Sequence, residues 1–490
     1  MYAGAGYSDW EIGDVDVFYH EGVYHLFHLI IPNHDYIAHA VSRDGISWKR
    51  VKNALFVGDP GEWDDDMLWT MHVSRNGDGF QMYYTGLRRS DRGASQQIGK
   101  AISDDLLNWS KVVTMEPVTP IPPHYETKDD SPRLWTSFRD PFAYVHEGSQ
   151  YLLVCARNAR GPVSRRGCVA LLKLSGDRVD YLPPLIYPRV YDDLECPCIF
   201  KFHERYYLVG SIREDIKVRY WISDKFDGEY RSFHSDILLP QGNYAARVMW
   251  DGTQYLVYNF YFTDRQVNSL RVLPPPKQLD VDGRGRLVLK SFYRWNQMSL
   301  NQITQEDFPE VHQLLENDSA EKLITPNKWT FRSISGYEIF HFRKPTGSLI
   351  WEGTLTMEGL GKFGLVIDVD AEGNGYYFPF DLVNGFVQIR TWGFNPANNK
   401  QNFIFNNIQS NLFPVNDDLS FRFRLIRYGN YIELSIDGIV KLTLMDYTFN
   451  GDSIGIYSAS STISLSDSLI RTLHDPRSEY ASQEASSVDQ

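Results

Sequence analysis

Three acidic side chains recur at matched distances from hairpin turns. Asp14 lies eight residues before Gly22, and Asp140 lies eight before Gly148. Asp140 is also eleven residues before Tyr151, as Glu195 is before Tyr206. Asp and Glu together make up 62 of 490 residues, so random placement would seldom produce this coincidence. Two or three carboxyls around one small cavity are the apparatus for cleaving a glycosidic bond. One must hold a proton for the leaving oxygen, and crowding with partial burial raises the pKa of one member of such a set. Another stays ionised as nucleophile or base. The matching positions of two further repeats hold Met71 or His72, and Tyr244; Tyr244 is assigned to substrate binding. Asp16 competes with Asp14, because strand alternation points both to one face. The offset shared with Asp140 favours Asp14.

Other chemistry is less well supported by the residues. Cys196 adjoins Glu195, but a thiol nucleophile needs a His partner and an oxyanion hole, so Cys196 is read as a packed residue. The 13 His are scattered without an HExxH-like spacing; His39 and His72 are the ones placed to reach a central funnel. Asp64-Asp65-Asp66 and Asp129-Asp130 read as solvated loops. Cys196 and Cys198 flank a single Pro, the wrong spacing for a zinc knuckle. No Gly-rich loop precedes a helix. Neither a metal nor a cofactor is predicted.

Residues so placed need a repeated scaffold. Five segments share an apolar-aromatic strand, a turn and a second aromatic strand: Val15 to His28, Met71 to Gly86, Pro141 to Ala156, Cys198 to Ser211 and Arg247 to Asn259. Three are followed by a second hairpin-like stretch, Tyr36 to Trp48, Ile98 to Trp109 and Val218 to Tyr230. The anchors Tyr24, Tyr83, Tyr151, Tyr206 and Tyr255 are 59, 68, 55 and 49 residues apart. Four strands per unit at that period predict an all-β, five-bladed propeller over residues 1–295. Its inner strands begin around one axis, where residues just ahead of them converge. Gln302 to Glu316 reads as a short helix in a linker, 296–325. Alternating strands with Gly and Asn turns then predict a β-sandwich over 326–475. The sandwich is read either as a carbohydrate-binding unit or as a buttress for the propeller, and the second is favoured. Residues 476–490, rich in Ser, Glu, Asp and Gln, are predicted disordered.

Composition excludes several classes. Lys and Arg total 49 against 62 acidic residues, a net charge of −13, the opposite of a nucleic-acid footprint. The best apolar stretch, Val23 to Ile31, is broken by His25 and His28 and is far short of a membrane span. Met1 to Trp10 lacks a basic region followed by an apolar core, and a cytoplasmic location is the default expectation. Four Cys make no disulfide framework. The expected partner is an oligosaccharide or disaccharide; homo-oligomerisation is left open. The 30 Tyr, 28 Phe and 12 Trp suit strands first and sugar faces second.

The segments GDVDVFYHEGVYHLFH, YTG (Tyr84 to Gly86), IGKAISDDLLNW, RDP (Arg139 to Pro141) and ECP (Glu195 to Pro197) resemble glycoside hydrolase family 32, the β-fructofuranosidases. So do AHAVSRDGISW and LPPPKQLDVDGRGRLVLK. The resemblance implies a five-bladed propeller joined to a β-sandwich. It implies Asp14 as nucleophile, Asp140 as transition-state stabiliser and Glu195 as general acid/base, with Arg139 holding Asp140 or a sugar hydroxyl. Trp69, Thr70 and Trp10 would line the sugar pocket. One motif departs: the family's Trp-Met-Asn-Asp-Pro-Asn-Gly is here Trp10-Glu11-Ile12-Gly13-Asp14-Val15-Asp16, without the sugar-binding Asn residues. The implied activity is retaining hydrolysis of terminal β-fructofuranosides. The alternatives are an inverting arabinan- or xylan-cleaving propeller, which also uses Asp, Asp and Glu, and a propeller that binds carbohydrate without cleaving it.

Overall fold

In the computed structural model the described residues are 2, 11–176, 178–234, 236–261, 272–359, 361–394, 403–446 and 448–474. Trp10 and the predicted disordered tail lie outside them. The chain forms two compact units, residues 2–279 and 280–490, apart from Met1. Among the described residues there are strands and short 3-10 turns and no α-helix.

The blades all have their inner strands in the first unit, and the fifth blade's sheet extends beyond it to Leu287–Ser291. Their inner hairpins are Glu11–His20 with Val23–Ile31, Met67–Asn76 with Gly79–Leu87, Phe138–His146 with Ser149–Arg157, Glu195–Phe202 with Arg205–Ile212, and Asn243–Trp250 with Tyr255–Tyr261. Each hairpin continues outward into its own antiparallel sheet. The inner strands touch in cyclic order and the fifth touches the first, which closes a five-bladed propeller. The tight turns follow their chemistry. Glu21-Gly22 and Glu147-Gly148 have two successive positive φ angles, 48° and 80°, and 48° and 73°, the type I′ pattern. His203-Glu204 adopts it without glycine, at 45° and 63°.

Every inner strand starts about four residues before the expected position. Each has a β-bulge: between Ile12 and Val15, Trp69 and Met71, Arg139 and Phe142, Glu195 and Cys198, and Tyr244 and Arg247. A bulge breaks the alternation that betrays a strand, so only the part beyond it was legible. Asp140, Cys196 and Ala245 take positive φ angles of 60°, 50° and 50° there. Pro141 and Pro197 sit in the bulges, where no ladder hydrogen bond is lost by lacking an N–H.

Below the bulges, Arg247 ties the blades together. It is 1% exposed. Its Nη1 donates to Pro197 O at 2.5 Å and its Nη2 to Pro141 O at 3.3 Å. Its Nε lies 3.9 Å from Asp16 Oδ1. Asp16 Oδ2 accepts the Val73 N–H at 2.7 Å. One buried Arg–Asp pair therefore engages all five inner strands. Asp64 and Asp65 are likewise buried, a correction to the solvated-loop reading: Asp64 accepts from Tyr84 Oη and Lys111 Nζ, and Asp65 from the amides of Gly61 and Arg89.

The second unit is a sandwich-like sheet folded on its longest strand, Ser453–Leu473. That strand pairs with Ser299–Thr304, Lys328–Arg343, Ser348–Met357 and Lys362–Val369. The expected linker helix over Gln302 to Glu316 is absent. Instead Ser299–Thr304 is a strand and Gln305–Asp307 a 3-10 turn. The reason is Glu338. Its fully buried carboxylate accepts the N–H groups of Leu314, Leu315, Asn317 and Ile339, and so takes up amides that a helix would have used internally. The segment 296–325 thus supplies strands to the second unit, while the sheet of the fifth blade runs on to Leu287–Ser291.

Breaking a buried ion pair leaves an uncompensated charge, at a cost of about 3–5 kcal/mol. Arg247→Met is expected to lower unfolding stability by about that much, with Arg247→Lys intermediate because it keeps the charge and loses the fork. Urea denaturation followed by tryptophan fluorescence checks this; an unchanged midpoint in Arg247→Met contradicts it.

Candidate active site

The bulges bring three carboxyls to one end of the inner strands, but not from one equivalent position. Counted from the last pair of each hairpin, Asp14, Thr70, Asp140 and Cys196 match, six residues before His20, Asn76, His146 and Phe202. Glu195 stands one residue earlier, level with Arg139. The alignment on Tyr151 and Tyr206 missed this because Tyr151 is the third residue of its strand and Tyr206 the second.

The matched residues touch in sequence around the ring. The Thr70 hydroxyl donates to Asp14 Oδ2. Asp140 N donates to Thr85 Oγ1 at 3.1 Å. Cys196 N donates to Asp140 Oδ2 at 2.9 Å. Cys196 Sγ lies 3.7 Å from both Asp14 Oδ2 and Asp140 Oδ2. Ligand atoms of Asp14, Asp140 and Cys196 lie within 4.8 Å of one another. Asp140 is buried, while Asp14 and Glu195 keep some exposure. Asp16 is not interchangeable with Asp14. Its oxygens are committed to Val73 N and His72 Nδ1, the latter at 3.2 Å, so the bulge at Gly13-Asp14 separates two residues that ideal alternation would put together.

Glu195 has its own cradle. Arg139 Nη2 donates to its Oε1 at 2.5 Å, and the Tyr244 hydroxyl donates to its Oε2. Arg139 Nη2 also reaches Asp193 Oδ2 at 3.0 Å, and its Nε is 3.8 Å from Asp140 Oδ2. Two of the residues assigned to substrate binding, Arg139 and Tyr244, therefore hold Glu195. Thr70 likewise serves Asp14. Trp69 is partly exposed and packs against the second-blade core. Asp193 was missed in the sequence, as were Thr85 and Arg247. A lone Arg in the apolar strand Arg247-Val248-Met249-Trp250 was the available signal.

The electrostatics follow from burial. Desolvation and the neighbouring Asp140 carboxyl push Asp14 up from 3.8 to about 7, opposed by the Thr70 hydrogen bond and Arg247. Burial raises Glu195 too, opposed first by Arg139, with Asp140 adding to the rise. Burial and the adjacent Asp14 and Asp140 push the Cys196 thiol far above its ordinary range, which removes it as a nucleophile. Asp193 is held ionised, below its ordinary value; burial opposes this, and Arg139 and Arg133 outweigh it. The site thus contains two carboxyls that retain protons unusually well and a third, Asp140, hydrogen-bonded to a backbone amide. Groups so placed can supply an acid–base residue and a nucleophile to one reaction.

Residues 15–262 match the N-terminal domain of glycosyl hydrolases family 32. A levanase from Bacillus sp. (strain L7) is 37% identical over 130 residues, 25% of this chain and 14% of that protein. A cell wall isozyme of β-fructofuranosidase from Zea mays is 28% identical over 274 residues, 50% of this chain and 43% of that protein. The chain thus matches less than half the length of either relative. The structure of sucrose-6-phosphate hydrolase from Lactobacillus gasseri shares the fold, with a TM-score of 0.68 at 15% identity over 95% of this chain and 91% of that one. The match spans the blades and the strands that carry Asp140 and Glu195: the chain belongs to glycosyl hydrolases family 32.

Proposed function

We propose that this protein hydrolyses terminal β-fructofuranosyl residues, in sucrose or in fructan chains, with retention of configuration. The observation that carries the reading is the convergence of Asp14, Asp140 and Glu195 on the inner strands, with Asp14 and Glu195 each held by a different set of donors. Family membership and the levanase and β-fructofuranosidase relatives support the sugar class.

In the first step the Asp14 carboxylate attacks the anomeric carbon while Glu195 gives its proton to the departing oxygen. In the second, Glu195 takes a proton from water, the hydroxide oxygen bonds to the anomeric carbon, and the bond to Asp14 breaks. Thr70 supports the ionised form of Asp14. Arg139 and Tyr244 each occupy one lone pair of a Glu195 oxygen, which leaves a second lone pair for the transferred proton. Asp140 is suited to stabilise positive charge developing on the sugar ring, and it accepts the Cys196 amide, which fixes its orientation.

Glu195→Gln is expected to lower turnover on sucrose by roughly 10²–10⁴-fold, and Asp14→Asn by at least as much. Proton NMR of the first-formed fructose should show the β anomer. Near-normal turnover in either variant, or an inverted first product, contradicts the assignment.

The pH dependence has a definite sign. Asp14 must be ionised to attack, so kcat/KM falls as pH drops through its pKa near 7. The Thr70 hydroxyl lowers that pKa. Thr70→Val is therefore expected to move the acid limb of the kcat/KM profile to higher pH, with a larger loss at pH 6 than at pH 8. A uniform loss at all pH values would show that Thr70 does not act through Asp14.

A further inference from the structure

In a two-layer antiparallel structure the face turned away from the partner layer is normally polar. One sheet of the second unit departs from this. Its core face carries Phe340, Phe363, Leu365, Phe378 and Ile456, all essentially buried. By alternation the opposite face carries Tyr337, Ile339, Tyr457, Tyr377 and Trp392. Four of these rings form a continuous row across the strands. Tyr337 and Tyr457 stack with centroids 5.0 Å apart, Tyr457 and Tyr377 lie 6.0 Å apart, and Tyr377 and Trp392 lie 6.3 Å apart. The row crosses five strands, which is about 19 Å at ordinary strand spacing. Gly364, paired with both Tyr457 and Pro379, lets the Tyr457 ring lie against the sheet; a Cβ there would come within 2.4 Å of Tyr457 Cε1.

These rings line a half-open concavity of about 1360 Å³, larger than the few hundred to about 1,000 Å³ of a typical small-ligand pocket. Its floor is Tyr377 and Tyr457, each 7% exposed, and Trp392 stands at its edge at 45%. A flat protein surface would meet the rim and miss the floor. A chain one residue wide can enter. Planar polar groups stand beside the rings: Arg390 Nε donates to Gln388 Oε1 at 2.8 Å, which orients both. The charged lining residues are Lys362 and Arg390 against Glu372 and Asp381, so formal charge cancels and an uncharged ligand is favoured.

We propose that this groove is a second carbohydrate-binding site, distinct from the carboxyl pocket, and that its ligand is a β-fructan chain. Aromatic rings meet the C–H faces of the sugars, and Gln388 and Arg390 meet their hydroxyls. The choice of fructan over other neutral glycans rests on the fructofuranosidase reading of the first unit. Holding the polymer raises its effective concentration at the enzyme. The sandwich is then a substrate-holding unit.

The experiment uses the full chain carrying Glu195→Gln, so that polymer is bound without being cut. Inulin and levan affinities are measured by titration calorimetry with and without Trp392→Ala, and with Arg390→Ala as a second variant. Thermal melting reports the fold of each. The groove predicts about a tenfold loss of polymer affinity in Trp392→Ala at unchanged melting. In the active enzyme, Trp392→Ala should raise KM for the polymer at least fivefold, leaving kcat and sucrose kinetics unaltered. Equal polymer affinity in all variants overturns the proposal, as does groove-dependent binding of xylan or starch but not fructan. Failure to hydrolyse sucrose, with Trp392-dependent fructan binding intact, would instead overturn the reading of the carboxyl pocket.

Discussion

The buried guanidinium of Arg247 is the point at which the five inner strands are held to a common height. It reaches carbonyls of the third and fourth blades and the Asp16 carboxylate of the first, which in turn holds an amide of the second. The carbonyls are those of Pro141 and Pro197, next in sequence to Asp140 and Cys196. A bulged strand leaves backbone acceptors unmatched by its ladder, and a buried acceptor without a donor is costly. Arg247 meets that need twice. The same contacts that satisfy the bulges therefore position the residues the bulges expose.

Above this plane the arrangement works against stability. Three carboxyls crowd a poorly solvated space, and Asp14 and Glu195 respond by holding protons more tightly. A carboxyl raised from 3.8 to about 7 on folding keeps a proton that the unfolded chain has already released across that range. Folding stability therefore falls as pH rises between about 4 and 7. Paired carboxylates such as Asp193 act in the opposite sense: folding lowers their pKa, so their contribution is lost as pH falls. The network from Arg133 and Arg139 through Asp193 offsets part of what the crowded carboxyls cost.

Much of this was legible in the sequence, and the failures share a cause. Strand pairs, type I′ turns and aromatic anchors are local, and they gave five blades and the three acidic residues. Bulges are not local in the same sense. They broke the alternation ahead of Val15, Met71, Cys198 and Arg247, which hid the strand segments carrying Glu195 and Thr70; the anchor tyrosines, at different positions in their strands, put Glu195 level with the wrong residue. The rivalry of Asp14 and Asp16 could not be resolved by period-two counting, because one extra residue in the strand decides it. The linker helix failed for a tertiary reason: one buried carboxylate, Glu338, from a strand more than twenty residues away, claims the amides of Leu314, Leu315 and Asn317.

The strand Ser453–Leu473 carries a consequence for the order in which the protein can be made. The blades pair each strand with a neighbour close in sequence, so the first unit can assemble as it emerges from the ribosome. The second unit cannot. Four strands laid down between Ser299 and Val369 all take part of their hydrogen bonding from this late strand. Until it is synthesised, their edges are open and their apolar faces uncovered. Nascent chains that stall between Val369 and Ser453 would carry a finished propeller and an unfinished, aggregation-prone sheet. Translation speed through that interval is then a determinant of yield.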